Sequence, residues 1–139
     1  MADPVLASMV RAMGLKTARH YTAATPKIQA YRDHWAELAK FRDGPVNPQR
    51  VEVSDPAKMT KQIKAKAMEL GADMVGICRL QPYMIDLGEA LPHEFVIVAG
   101  VAEDYEKVLH GANAVEEEAM RVYAKCTDIA TELAADIRG

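Results

Sequence analysis

The side chains able to titrate, ligate a metal or act as nucleophiles are scattered along this chain. The two cysteines, Cys78 and Cys126, lie far apart and in no metal-ligand spacing. Neither has an adjacent histidine with which to form a nucleophilic pair, so reduced, buried thiols that serve core packing are expected, and a disulfide between them stays open. The four histidines, His20, His34, His93 and His110, share no spacing that would gather them around a metal. Asp33, His34 and Glu37 are near neighbours on an expected helix and read as a solvated polar face. The acidic run Glu116-Glu117-Glu118 reads as the charged first turn of a helix, favoured by the positive end of the helix dipole. Gly71, Gly76 and Gly100 form neither a GxGxxG nor a P-loop pattern, so no phosphate cradle is indicated. The tyrosines remain. Tyr123 borders an apolar helical stripe and is expected in the core. Tyr83 and Tyr105 follow the ends of two expected strands, where loops often line ligand sites, and are the candidate cavity-lining residues. No catalytic residue and no metal ligand is assigned.

Few elements are available to position these groups. Val5, Leu6, Met9, Val10 and Met13 recur as on a short amphipathic helix over Pro4–Met13, with Asp3 as its cap and Gly14 as its stop. A second helix starts at Thr25-Pro26, carries Ile28, Tyr31, Trp35, Leu38 and Phe41 at spacings of three and four, and ends at Gly44-Pro45. Residues 44–54 hold two prolines and read as a linker. A third helix opens at Asp55-Pro56, places Met59, Ile63, Ala67 and Leu70 on one face, and stops at Gly71 in the left-handed conformation.

Met74–Cys78 follows as a strand with too little alternation to be half-exposed, and is expected to be buried on both faces. Gly76 in its middle suggests a close approach of another group. Residues 80–93 form a connection with room for one helical turn. Glu94–Val101 is the most apolar run in the chain and forms a second buried strand, so both strands need sheet partners. Finally Val115, Ala119, Val122, Cys126, Ile129, Leu133 and Ile137 mark a stripe about six turns long, with Asn113 as candidate cap.

The chain has 139 residues, half of them hydrophobic, which suits one globular domain with a core built from few elements. The eight methionines favour an adaptable core or a surface that awaits a partner. A net charge of −3, with Lys and Arg spread along the chain, offers no basic stripe, so nucleic acid is not an expected partner. No apolar run reaches the roughly 18 residues of a membrane span, and no secretory or twin-arginine signal opens the chain. A cytoplasmic location is expected.

The run from Ile63 to Leu80, with its Gly71-Ala72-Asp73-Met74-Val75-Gly76-Ile77-Cys78-Arg79 corner, resembles the lead-in of cobalamin-dependent reductive dehalogenases. It resembles more loosely the start of epoxyqueuosine reductase, which shares their core. The order of elements continues the resemblance: a Tyr-containing loop, the strand Phe95-Val96-Ile97-Val98-Ala99-Gly100-Val101, the acidic loop Glu103-Asp104-Tyr105, and a long helix from Met120 to Gly139. It covers residues 55–139.

The resemblance implies an α/β (α+β) fold, helix-rich with few core strands, forming part of a nitroreductase-like layer in an incomplete domain. Residues 1–50 would be a helical lead-in and residues 51–139 the α/β segment. The complete enzyme would remove halide from an organohalide at cobalamin, with electrons from two 4Fe–4S clusters. Two isolated cysteines cannot ligate even one such cluster, so no cofactor is expected in this chain alone. The implied role is the N-terminal, by itself non-catalytic portion of such an enzyme, whose partner is the remainder of the enzyme or a separate cluster-bearing chain. A stand-alone interaction module that forms homo-oligomers is the alternative from another class. An epoxyqueuosine reductase-like fragment is a further one, disfavoured by the acidic balance.

Overall fold

The computed structural model describes residues 25–42, 44–49, 52–85 and 91–139. The expected helix over Pro4–Met13 lies outside the described residues. The order of elements is α1 (Pro26–Leu38) with a 3-10 turn (Ala39–Phe41), α2 (Pro56–Glu69), β1 (Met74–Arg79), a second 3-10 turn (Pro82–Met84), β2 (Phe95–Gly100), α3 (Tyr105–Val108) and α4 (Ala112–Arg138). The fold is therefore mostly helical, with a two-stranded antiparallel sheet.

Helix starts follow local chemistry. Thr25 accepts the Ile28 N–H and Asp55 accepts those of Ala57 and Lys58, with proline in the first turn of each helix. At the far end of α2, Gly71 has φ +102°, its N–H donates to the Met68 carbonyl, and the Ala72 N–H donates to the Ala67 carbonyl. This is a Schellman stop, and buried Ala67 and Ala72 belong to the same core cluster. α1 ends earlier than the expected Gly44, because the chain tightens into a 3-10 turn after Leu38.

α4 starts differently from the expectation. Its cap is Gly111, at φ +95° and without a side-chain hydrogen bond, not Asn113. The shift carries Glu116–Glu118 past the first turn into the helix body, where Glu116 and Glu118 are buried.

The two strands are each other's partner, in a register that sets Val75 against Ala99 and Ile77 against Ile97. These residues turn toward α2 and α4, where Val75, Ile97, Ala99 and Val101 pack on the core of Ala67, Ala72, Ile129 and Leu133. The alternation of a strand then sends Met74, Gly76, Cys78, Val96, Val98 and Gly100 to the other face. That face is open: Met74 is 70% exposed and Val98 58%. β1 is thus covered on one side, not on both, because the described helices all lie on the other. Gly76 is not a point of close approach either, since a Cβ there would meet nothing within 4 Å.

α1 packs along α4 and fully buries Ile28. The segment after it is tied to the end of α4: the Asn47 N–H donates to the Arg138 carbonyl at 3.0 Å, and an Arg138 guanidinium N–H donates to the Arg42 carbonyl at 3.1 Å. The middle of the apolar stripe on α4 is core, with Ile129 and Leu133 buried, whereas its ends Val115 and Ile137 are exposed. Among the described residues no helix is long and apolar enough to cross a membrane.

Candidate interaction surface

Among the described residues, the buried charge cluster with perturbed titration surrounds Glu118. Its carboxylate accepts the Asp104 N–H at 2.8 Å and two contacts from the Arg121 Nε–H at 2.9 Å, with Lys107 Nζ at 3.5 Å. Arg121 also donates to the Ala102 carbonyl at 3.0 Å. The Arg121 hydrogen bonds pull the Glu118 pKa from 4.5 down to about 2 against the opposing effect of burial, helped by the Asp104 N–H and by the charges of Arg121 and Lys107. Glu118 in turn raises the Arg121 pKa. A carboxylate held that low and enclosed by donors is a poor general base near neutral pH, so this cluster is a clasp between α4 and the loop leading into α3.

The neighbouring acids act alike. Glu116 pairs with Arg32 at 2.6 Å and Glu117 with Lys27, both joining α4 to α1. His34 reaches Asp128 of α4 at 2.8 Å, while Asp33 accepts from Gln29. The polar face of α1 is therefore partly an inter-helix seam.

Tyr83 sits in the 3-10 turn beyond β1 and Tyr105 opens α3 beyond β2. They are 82% and 69% exposed. The antiparallel register places the loops that follow β1 and β2 at opposite ends of the ladder, so the structure does not bring these two together. Tyr123, expected in the core, is instead 55% exposed and stacks on Trp35 with ring centres 6.3 Å apart.

Both cysteines are free; Cys78, expected buried, is exposed on the open sheet face, and Cys126 is half-buried on α4. Among the described residues no group of three His, Cys, Asp or Glu side chains could hold a metal ion. Two thiols on different elements do not fit an iron–sulfur cluster, which takes a set of cysteine ligands. A cleft of ≈ 730 Å³ is lined mainly by apolar and small residues such as Trp35, Leu38, Tyr123 and Ala130, with Arg42, Thr127 and Thr131 as its polar side chains.

What the arrangement does offer is an exposed apolar surface. The open sheet face presents Met74, Cys78, Val96 and Val98, with a notch at Gly76 opposite Val98. Sequence reasoning found the apolar character of both strand faces but supplied no element to cover the second.

No family model matches the sequence, and no curated protein matches it. Solved structures do. The catabolic reductive dehalogenase NpRdhA aligns with a TM-score of 0.64 and 30% identity, over 84% of this chain and 18% of its own. The same enzyme in complex with 3-bromo-4-hydroxybenzoic acid aligns at 0.62 and 30% identity, over 84% and 17%. A reductive dehalogenase structure described as suggesting a mechanism for B12-dependent dehalogenation aligns at 0.62 and 29% identity, again over 84% and 17%. The chain is a reductive-dehalogenase-like region. It spans less than a fifth of the length of the structures it matches. The resemblance read from the Gly71–Arg79 corner is borne out at this level, and the reductive-dehalogenase-like region carries no metal-binding group among its described residues.

Proposed function

We propose that this chain is a scaffold portion, not catalytic by itself, of a corrinoid- and iron–sulfur-dependent reductive dehalogenase-like oxidoreductase, corresponding to its N-terminal part. It seats on the remainder of the enzyme, or on a separate cluster-bearing chain, through the open face of the sheet. The observation that carries this reading is the one-sided burial of β1 and β2: both strands are apolar on two faces, and one face has no cover among the described residues. The partial alignment supports it, since the matched structures hold more than four-fifths of their length outside the aligned region. Halide removal and both cofactors would belong to that remainder. Tyr83 and Tyr105 would each reach it separately, from opposite ends of the sheet.

The test is co-purification with a corrinoid- and cluster-bearing polypeptide that lacks the corresponding region. The chain is expected to bind it, and Val98→Asp to abolish binding while the circular dichroism spectrum stays unchanged. Dehalogenation by the chain alone, supplied with cobalamin and reductant, would refute the scaffold role. A discrete homodimer without affinity for that polypeptide would favour the interaction module instead.

A further inference from the structure

The open sheet face is small for the docking assigned to it. Strands of six residues are about 20 Å long and two of them side by side about 10 Å wide, so the face offers about 200 Å². A stable protein–protein interface takes about 800 Å² from each partner. A polypeptide seated on this chain must therefore grip more than the face.

The sheet has a second means of contact, its edges. The Leu80 N–H donates to the Glu94 carbonyl at 2.9 Å, which fixes the alternation of the antiparallel ladder. Cys78–Val96, Gly76–Val98 and Met74–Gly100 are then the hydrogen-bonded pairs, and the N–H and C=O groups of Val75, Ile77 and Arg79 point away from β2. Among the described residues no backbone group outside the sheet bonds to them. β1 also lacks the devices that keep an edge unpaired. It has no proline, no lysine and no bulge, and its one charge, Arg79, is its last residue.

The inner face distinguishes the two edges. Ile77 and Ile97 stand opposite each other and both turn toward the helices, yet only Ile97 packs on the core of Ala67, Ala72, Ile129 and Leu133. Four of the six β1 residues are exposed, against two of six in β2. The helical layer thus supports β2 more fully than β1, and an extended segment laid along the β1 edge would cover the flank of Ile77.

We propose that the remainder of the enzyme adds a strand to the free edge of β1, with main-chain hydrogen bonds to Val75, Ile77 and Arg79 and an apolar side chain beside Ile77. The inference rests on the docking reading above and names how that docking is made.

Amide hydrogen exchange tests it, on the full chain alone and in complex with the corrinoid- and cluster-bearing polypeptide that lacks the corresponding region. Gly76 and Cys78, bonded within the ladder, serve as protected references. The Val75, Ile77 and Arg79 amides are expected to exchange about 100-fold or more slowly in the complex than in the chain alone. Arg79→Pro removes one outward N–H while Arg79→Ala keeps it, and both lose the Glu94 ion pair and the contact with the Phe95 ring. The proline variant is expected to bind at least about tenfold more weakly than the alanine variant. Equal binding by the two, or a complex in which these amides stay unprotected, overturns the strand pairing and leaves the docking reading standing. Absence of any complex refutes both. Protection at Ile97 and Ala99 instead overturns the assignment to β1 in favour of the β2 edge. Protection of the β1 amides in the dilute chain alone overturns it in favour of a segment of this chain, and protection that appears only on concentrating the chain alone, in favour of a second copy.

Discussion

Glu118→Gln removes a charge and leaves the shape of the side chain almost unchanged, which isolates the electrostatic work of the clasp. In the folded protein Glu118 is 2% exposed and is held ionised by Arg121, the Asp104 N–H and Lys107. A shift from 4.5 to about 2 corresponds to about 3 kcal/mol of stability at pH 7. Arg121 is 30% exposed, so water screens part of the attraction and about 2 kcal/mol is the expected loss. Because the folded pKa is depressed, the contribution is complete above pH 4.5 and disappears as pH falls through about 2. Urea unfolding of both proteins at pH 7 and at pH 2.5 measures the effect. The gap between them should shrink by more than half at the lower pH, with equal urea dependence showing that the unfolded states are alike. A gap below about 0.5 kcal/mol at pH 7, or one that persists undiminished at pH 2.5, would refute the clasp.

Three further substitutions test the frame around it. Ile129→Ala, at a core position with 1% exposure, should cost about 3 kcal/mol in a denaturant titration. Gly71→Ala places a Cβ at φ +102° and within 2.8 Å of the Lys125 side chain, and should lower stability by about 1 kcal/mol or more in thermal unfolding. Asp55→Ala frees the Ala57 and Lys58 N–H groups at the start of α2 and should cost about 1 kcal/mol, measured the same way.

Features governed by neighbours in sequence were legible from it. Thr25-Pro26 and Asp55-Pro56 begin helices, and Gly71 ends one, because a cap satisfies backbone groups within a few residues. Asn113 misled for a related reason: a good capping side chain was present, but Gly111 took the position at a positive φ two residues earlier. That slip of about half a turn misassigned the glutamates. Their partners Arg32 and Lys27 could not be named from sequence, since they lie more than eighty residues away on α1, whereas Arg121 stands one turn from Glu118 on the same helix, a spacing the sequence does show. Likewise, Trp35 and Tyr123 sit at helical positions that look interior, yet both are about half exposed and their rings stack on each other along a groove. The candidate surface itself was half legible. Apolar runs with little alternation announced two faces to be covered, and only the pairing Val75–Ala99 and Ile77–Ile97 showed which one the helices take.

The distribution of burial explains why polar clasps matter so much in this chain. Among the described residues the fully buried apolar set is small: Ile28, Ala67, Ala72, Ala124, Ile129 and Leu133, three of them alanines. Alanine contributes little apolar area on burial, so this core cannot by itself hold α1, the sheet and α3 firmly on α4. The glutamate run supplies ties at consecutive positions instead, Glu116 and Glu117 toward α1 and Glu118 toward α3. Glu118, buried and enclosed by several donors, carries the tie to α3, and buried Glu116 with Arg32 carries the one to α1; the exposed Lys27–Glu117 pair adds little. The strand ladder, with Val75, Ile97, Ala99 and Val101 packed on Ile129 and Leu133, keeps β1 and β2 in register on α4, while among the described residues nothing covers their outer face. That is the property a docking scaffold requires, and it does not depend on any chemistry within the chain.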